Sequence, residues 1–246
     1  MPKRPDHHPP LPAPFAVPEG DHPEYLLSPS GVQGFGRRGF YVAAIPRALA
    51  VEVVLAKHYS HRIVNNSYVH LGVFMGGQLV GVLQLGYALN PSAMGKVVEG
   101  TGNTEYLELN RMWLDDFAPR NSESRAISYA IKYIRKRWPK VRWIQSFADE
   151  RCGLFGTVYQ AANFAYCGEH TSTFWELDGE VFHNSLLTDG RMAGQPAAER
   201  IRQNIDKAAK KDLRQFRYIF FMRPRFAKGL RLAVKDFPKP DYANRP

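Results

Sequence analysis

The sequence predicts an α/β fold built on a mixed central sheet that is flanked by helices. Along 246 residues, segments rich in β-branched and aromatic residues alternate with segments of helical periodicity. Two strand segments meet at Gly76-Gly77, a dipeptide typical of a β-hairpin turn. Hydrophobic residues make up 44% of the chain, which is enough for a sizeable core. Strands that alternate with helices after an early hairpin indicate a mixed sheet.

Each element of the predicted order, β-α-β-β-loop-β-α-β-α-β-α-β, has a local signal. Pro46 suits the first turn of the first helix. Ile127, Ile131 and Ile134 recur at helical spacing, and Pro139 ends that helix. The predicted strands are 40–45, 68–75, 79–87, 105–114, 141–149, 165–177 (with a bulge at Gly168) and 216–222. The predicted helices are 47–58, 122–138, 153–164 and 196–213, and residues 90–104 form a long loop.

Proline content divides the chain into three parts. Residues 1–30 hold nine prolines, which exclude a regular helix or ladder there. We therefore expect a flexible Pro/His-rich arm over residues 1–38, a catalytic domain over 39–223 and a basic tail over 224–246. His7 and His8 belong to the composition of the arm rather than to a ligand set.

Composition narrows the class of protein. A net charge of +10 and a pI near 9.6 favour a polyanionic partner such as DNA, RNA or an acidic membrane surface. Two cysteines, Cys152 and Cys167, fit a reducing compartment. No apolar run approaches 18 residues, and the first residues lack the apolar core of a signal peptide. These features predict a protein of the bacterial or host cytoplasm that does not enter a membrane.

Two stretches, 120–142 and 199–231, carry most of the positive charge. Such runs are commonly a solvated face, but few acidic residues accompany them in the sequence. They therefore predict a track for DNA phosphates, with binding that weakens steeply as salt is added. The residues assigned to this track are Lys132, Arg135, Lys136, Lys140, Arg214 and Arg217.

The segment "KHYSHR" at 57–62 ends the first helix. His58 there is a proton acceptor near neutral pH or a surface histidine that stabilises the helix C-terminus. Two histidines together with Asp149 could also form a metal site, iron included, of two histidines and a carboxylate. That metal site is the minority hypothesis, and His61 is expected to flank the site.

Further polar residues stand where a cleft would open. Arg111 lies inside an apolar strand, with Leu107, Leu109 and Trp113 predicted on the same face. We expect it to bind an anion or a carbonyl, or to pair with a buried carboxylate. Asp149 ends a buried strand, where α/β folds gather ligands, or it caps the next helix. Ser122, Ser124 and Arg120 cluster at a helix N-terminus, which favours an anion.

The element order resembles the GNAT acyltransferase superfamily, and "YQAANFAYCGE" resembles the tyrosine-containing segment of that fold. The resemblance implies that Tyr159 is a general acid for the leaving group, although the residue alone is equally well explained by packing. Acetyl-CoA enzymes of this superfamily carry a glycine-rich turn at the helix that holds the pyrophosphate, but "APRNSESRA" contains no glycine. Relatives of this fold accept an acyl group from aminoacyl-tRNA instead.

The segments "KHYSHR", "ELNRMWL", "NSESRAISYAIKYI" and "QSFADERCGLFGTVYQAANF" are more specific. From about residue 47 to residue 177, the chain resembles the Mom family of phage proteins. The resemblance implies conversion of adenine in double-stranded DNA to N6-carbamoylmethyl adenine, which shields phage DNA from restriction. It implies His58, Tyr59, Asp149 and Tyr159 as catalytic residues, and an acyl donor, acetyl-CoA or glycyl-tRNA.

The flipped adenine that this chemistry needs would stack on an aromatic ring, with Tyr68, Trp113 and Phe147 as alternatives. Two other functions stay open at this stage: an acetyl-CoA-dependent N-acetyltransferase acting on a protein or small amine, and a DNA-binding protein without catalysis. The sequence leaves open the donor, a tRNA partner, the target site and the oligomeric state, a dimer included.

Overall fold

The computed structural model describes residues 23–150, 155–188, 190 and 194–238. Residues 1–22 of the flexible arm that was predicted for 1–38, and the end of the basic tail, 239–246, lie outside the described residues. So do Cys152 and Gly153, the start of the predicted helix 153–164. The mixed sheet flanked by helices that the sequence predicts is confirmed.

Ten strands form one mixed sheet. The first five run as an antiparallel meander because each hydrogen-bonds to the strand before it. The order across the sheet is β1-β2-β3-β4-β5-β6-β7-β10-β8-β9, and only β6 and β7 pair in parallel among these strands. The bounds are β1 Glu24–Ser28, β2 Gly31–Arg37, β3 Phe40–Ala44, β4 Ser67–Met75, β5 Gln78–Gly86, β6 Tyr106–Leu114, β7 Trp143–Asp149, β8 Ala165–Leu177, β9 Glu180–His183 and β10 Ala209–Phe221.

Five helices accompany the sheet in the described residues: α1 Arg47–Lys57, α2 Ser122–Arg137, α3 Thr157–Ala161, α4 Ser185–Thr188 and α5 Pro196–Gln203. The face that packs against α2 and α3 is called the helix face. There Ile127, Ile131 and Ile134 meet Leu109 and Ile144. The opposite face, against which α1 packs through Ala50 and Val54, is called the cleft face.

Two sequence predictions about the elements are wrong. Residues 24–37, assigned to the flexible arm, form β1 and β2 because Leu26 and Phe35 are buried against the sheet. The helix predicted for 196–213 ends at Gln203, and residues 209–213 extend β10. The basic tail starts as a 3-10 segment, Pro224–Gly229.

After that segment the chain runs beside the long loop 90–104 and forms hydrogen bonds with it. Leu230 forms a β-bridge with Val98, Arg231 donates its backbone N–H to the carbonyl of Val97 over 2.9 Å, and Lys235 donates to the carbonyl of Tyr166 over 2.9 Å. The division into arm, catalytic domain and tail otherwise stays a prediction.

A β-bulge at Asn110 opens the centre of the sheet. Leu85 of β5 pairs with Leu109, whereas the preceding Gln84 pairs with Arg111, so Asn110 is the extra residue. Pairing between β6 and β7 stops at Leu109 and Ser146. Beyond this point the two strands no longer pair, and the space between their carboxyl ends is called the cleft.

The same end of the sheet carries a projection. Strands β8 and β10 continue to pair beyond the end of β7, through residues 171–176 and 209–214. Together with β9, α4 and α5 they enclose a small separate core of Leu177, Phe182, Leu186, Ala198 and Ile201. This β8–β10 extension stands beside Asp149, at the mouth of the cleft.

Candidate active site

The turn after α1 buries a histidine at the cleft face. His58 is the C-cap of α1 and is 5% exposed. Its Nδ1 accepts the backbone N–H of Ser60 over 3.1 Å and lies 2.9 Å from the Ser60 hydroxyl. Because Nδ1 accepts, the neutral ring carries its proton on Nε2 and presents a donor there. Tyr59 is 52% exposed, with its ring centroid 4.3 Å from that of His58.

The rest of "KHYSHR" is structural. Nδ1 of His61 lies 2.9 Å from the carbonyl of Leu55, where it closes the end of α1. Arg62 donates to Glu180 over 2.8 Å and lies over the ring of Phe182, which ties the turn to the β8–β10 extension. Within the described part of the chain, no three His, Cys, Asp or Glu side chains are arranged to hold a metal. The residues that the iron hypothesis needs therefore do not fit a metal site.

Arg111 also fixes this turn. Its Nε donates to the carbonyl of Arg62 over 3.0 Å, and one terminal nitrogen donates to the carbonyl of Asn110 over 2.8 Å. The prediction that Arg111 shares a face with Leu109 is wrong, because the bulge intervenes. Leu109 packs on the helix face, whereas Arg111 points to the cleft face.

Glu108 is the residue that the sequence analysis missed. It accepts hydrogen bonds from Gln145 Nε2 over 2.6 Å and from Asn110 Nδ2 over 3.0 Å. Burial raises the pKa of this carboxyl to about 7, against the opposing effects of those two amides and of Arg217 and Arg111. A carboxyl that titrates near neutrality at a strand divergence is typical of a catalytic acid or base. The signal in the sequence was a glutamate between the leucines of "LEL".

Two predicted residues, Asp149 at the end of β7 and Arg217 of β10, lie on the cleft face. Asp149 is the last residue of β7, is 8% exposed and pairs with Gln215. Arg217, assigned to the phosphate track, instead lies over the ring of Phe147 with 5.1 Å between the guanidinium carbon and the ring centroid. Burial lowers the pKa of Arg217, while Cys167 and Glu108 oppose that shift. Arg217 therefore belongs to the cleft.

The N-terminus of α2 contains an unsatisfied hydroxyl. Ser122 is 1% exposed, and its Oγ has no hydrogen-bond partner in the described residues. Ser124 donates its hydroxyl to the carbonyl of Asn121 over 3.1 Å, and Arg120 is exposed. Asn121 adopts a left-handed conformation, φ 69°, and gives no side-chain cap. The free amides of this first turn can therefore meet an anion or a carbonyl.

Tyr159 lies on the other side of the sheet from Glu108. It is 8% exposed in α3, and its ring is 5.4 Å from Tyr218 and 5.7 Å from Phe164. Gly156 starts this helix with φ 78°, and a Cβ there would meet the Tyr218 ring at 2.3 Å. Only glycine therefore allows α3 to lie this close to β10.

The basic residues of α2 lie away from the cleft. A helix that joins two parallel strands runs back along the sheet, so the C-terminal end of α2 lies near the start of β7, about 22 Å along the helix axis from Ser122. Lys132 and Lys136 stand over the rings of Phe35 and Tyr25, at 4.7 and 5.9 Å. Arg135, Lys136 and Lys140 are exposed, and their contact with DNA stays a prediction.

The second basic run is partly compensated in three dimensions, contrary to the expectation of few neighbouring acids. Arg214 binds Glu150 through two nitrogens, over 2.9 and 2.7 Å. This pairing lowers the pKa of the Glu150 carboxyl. Similar pairs join Arg200 to Asp178 and Glu180, Lys210 to Asp212, Lys211 to Glu176 and Arg231 to Glu99.

The structure thus places His58, Arg111 and Asp149 on the cleft face with Glu108 and Arg217. Ser122, Ser124 and Arg120 mark the N-terminus of α2, and Tyr159 stays within an aromatic cluster on the helix face. Among the described residues, no helix is long and apolar enough to cross a membrane.

Comparison with known proteins gives consistent matches. The Mom protein family matches residues 39–239. A protein of Escherichia phage Mu named methylcarbamoylase mom is 51% identical over 211 residues, which cover 85% of this chain and 87% of that protein.

Solved structures of low sequence identity also match. The ribosomal-protein-S5-alanine acetyltransferase from Vibrio fischeri has a TM-score of 0.46 and 10% identity, over 78% of this chain and 97% of that one. A GNAT family acetyltransferase from Streptococcus pneumoniae has a TM-score of 0.37 and 11% identity, over 64% and 68%.

Proposed function

Because this chain belongs to the Mom protein family, we propose that it is an enzyme that modifies adenine in double-stranded DNA at the exocyclic amine. The product is N6-carbamoylmethyl adenine, and its role is to protect phage DNA from restriction in the host cytoplasm. The name of the phage Mu relative, a methylcarbamoylase, supports the group that is transferred. The positive net charge of the chain supports a DNA substrate.

The observation that carries the chemistry is the carboxyl of Glu108. An adenine amine must lose a proton as its nitrogen bonds to the donor carbon. A carboxyl with a pKa of about 7 accepts that proton near neutral pH and is still protonated often enough to return one. We assign this base role to Glu108 in place of His58, because His58 presents a donor at Nε2.

His58 then orients the acceptor or a carbonyl of the donor, next to the exposed Tyr59. Asp149, at the end of β7, holds the amine from the opposite strand. Arg111 positions the His58 turn through its bond to the carbonyl of Arg62. This arrangement divides the work between one carboxyl that moves the proton and polar groups that fix the geometry.

The donor binds at the N-terminus of α2. The buried hydroxyl of Ser122 lacks a partner in the described residues, and Ser124 and Arg120 stand beside it. The role of Tyr159 as the acid that protonates the leaving group rests on the family resemblance alone, because its ring packs on Tyr218 and Phe164 on the helix face. The donor is acetyl-CoA or glycyl-tRNA. A glycyl group has the same atoms as the carbamoylmethyl group. Its transfer to the adenine amine would give the product after an internal rearrangement in which the glycyl nitrogen moves to the carbonyl carbon and the adenine nitrogen to the methylene carbon, with no change of oxidation state. An acetyl group lacks the nitrogen and would need both a nitrogen source and an oxidant at its methyl carbon.

Nucleoside mass spectrometry of plasmid DNA from expressing bacteria tests the proposal. We expect modified adenine with the wild-type protein and its loss with Glu108→Gln. Canonical adenine alone, at normal levels of folded wild-type protein, would exclude DNA modification. Modified adenine at wild-type levels in Glu108→Gln would exclude the assigned base.

A second experiment addresses the donor. Removing the Ser122 hydroxyl with Ser122→Ala should raise the KM for the donor by about tenfold, the scale of one lost hydrogen bond, without lowering Tm. Ser128→Ala, further along α2, is the matched control. Transfer from acetyl-CoA or from glycine-charged tRNA, measured with isotope-labelled donors, identifies the one that the site uses.

A further inference from the structure

One residue of β7 is not buried. Six of the seven side chains from Trp143 to Asp149 are buried, and the exception is Phe147. Its ring also stands outside the three hydrophobic clusters that the described residues form. A large apolar ring that is only partly buried beside a cleft, rather than packed in the core beneath it, indicates a binding surface.

The Phe147 ring is contacted by side chains from the two strands that follow β7 in the sheet. Arg217 of β10 places its guanidinium 5.1 Å from the ring centroid, and His170 of β8 packs edge to face with centroids 5.5 Å apart and planes at 87°. Both strands follow β7 on the same side of the sheet order. Burial lowers the pKa of the His170 imidazole, and the charge of Arg217 lowers it further, against the opposing effect of a hydrogen bond with Gln215.

The other side of the ring faces an opening. On that side β6 pairs with β7 only as far as Ser146, one residue before Phe147. The bulge at Asn110 then carries β6 away. The free side of the ring therefore borders the gap between the diverging strands, with Glu108 at the point where the gap begins.

The other two aromatic residues considered from the sequence are engaged elsewhere. Tyr68 is 4% exposed and packs against Tyr87, with centroids 4.8 Å apart. Trp113 packs against the core under α1, together with Val54 and Val82. Of these three aromatic residues, Phe147 is the one whose ring borders the cleft.

We propose that Phe147, backed by Arg217 and His170, is the platform on which a flipped-out nucleobase stacks, with its exocyclic amine towards Glu108. This inference rests on the proposed function, which it deepens by assigning the base-binding surface. Bases stack on aromatic rings with little dependence on sequence, and a guanidinium on the far side adds a cation–π contribution. The selection of adenine then falls to the polar groups around the gap.

The test compares two single strands of equal length, an oligo(dA) and an abasic strand that keeps the phosphates and lacks the bases. Fluorescence anisotropy at low salt gives the Kd of each strand. We expect the wild-type protein to prefer oligo(dA) by about fivefold or more. Phe147→Ala should abolish this preference without changing the affinity for the abasic strand, and Phe147→Tyr should retain it.

Tyr25→Ala is the matched control, because the Tyr25 ring, which is 39% exposed, also has an aromatic and a cationic neighbour, Phe35 and Lys136. It lies on β1, at the far edge of the sheet, and this variant should keep the wild-type preference. A preference that persists in folded Phe147→Ala, or that is missing from the wild-type protein, would overturn the platform.

Plasmid nucleoside analysis separates this inference from the proposed function. Wild-type protein that prefers oligo(dA) but leaves adenine unmodified contradicts the proposed function alone. Modification by Phe147→Ala at the wild-type level contradicts the platform alone. We expect Phe147→Ala to lose at least about tenfold in modified adenine and Phe147→Tyr to keep most of it.

Discussion

The two faces of the central sheet use the same strands for opposite purposes. On the helix face, Leu109, Ile144 and the isoleucines of α2 pack without a charged group among them. On the cleft face the neighbouring residues of the same strands are Glu108 and Gln145, and Arg217 stands two strands from Glu108. Because successive side chains of a strand point to opposite faces, a closely packed core lies directly behind a polar site. Stability and activity should therefore respond to different substitutions.

The largest expected effect is on the cleft face. Glu108→Gln removes the group that accepts the proton and should lower the rate of adenine modification by about 100-fold or more, the usual contribution of a general base. The free energy of unfolding at pH 8 should not fall, because the variant removes a charge that burial disfavours. Single-turnover modification assays and urea unfolding measure the two quantities. A parallel loss of stability would mean that the faces are not independent.

The helix face should respond in the reverse way. Ile144 is 2% exposed under α2, and Ile144→Ala should lower the free energy of unfolding by about 2–5 kcal/mol. Modification per folded molecule should stay within a few-fold of wild type below the unfolding transition. Circular dichroism and the same assay check this, and an Ile144→Val variant should give a smaller loss in stability. Inactivity in fully folded Ile144→Ala would break the comparison.

The pH dependence of stability sharpens the comparison. The pKa of Glu108 rises from 4.5 to about 7 on folding, so between these pH values the folded protein binds a proton that the unfolded chain has lost. The stability that this proton contributes is present below pH 4.5 and is lost as pH rises to about 7. We expect wild type to lose about 1–3 kcal/mol relative to Glu108→Gln across this window. Equal profiles for the two proteins would show that Glu108 is not buried as described.

The smallest effect concerns the β8–β10 extension. Arg214→Gln breaks a partly exposed ion pair with Glu150 and should cost about 1 kcal/mol or less. If Arg214 stabilises the β8–β10 extension rather than binding DNA, the affinity of Arg214→Gln for nonspecific duplex DNA should fall no more than that of Arg200→Gln. The Arg200→Gln variant also loses acidic partners. Duplex titrations at two salt concentrations test this. A much steeper loss for Arg214→Gln would return it to the phosphate track.

Local signals made the helix face predictable. The isoleucine spacing of α2, the Gly76-Gly77 turn and the apolar strands were visible because each depends on residues close together in the chain. The cleft face was less accessible, since it depends on one extra residue, Asn110, which reverses the facing of every residue after it in β6. Periodicity therefore assigned Arg111 to the wrong face.

Long-range pairing explains the other differences. Several acids that pair with the second basic run, Glu150 after β7, Glu176 in β8 and Asp178 in the turn after β8, are far from that run in the sequence. The run therefore appeared unpaired. Glu108 was passed over because its raised pKa results from burial beside Gln145 and Asn110. The positions of His58 and Asp149 near the cleft followed from their places at the ends of elements. Their catalytic roles stay predictions.

The position of β10 has a consequence for how the protein is made. β10 lies between β7 and β8, yet it leaves the ribosome after both. Until β10 inserts, Phe147 has no neighbouring strand on the side away from β6. Arg217, which lies over the Phe147 ring in the folded protein, is also not yet in place. A nascent chain interrupted before residue 209 thus contains His58, Glu108 and Asp149 without the assembled cleft. Translation itself therefore delays the appearance of the site until most of the chain has been synthesised.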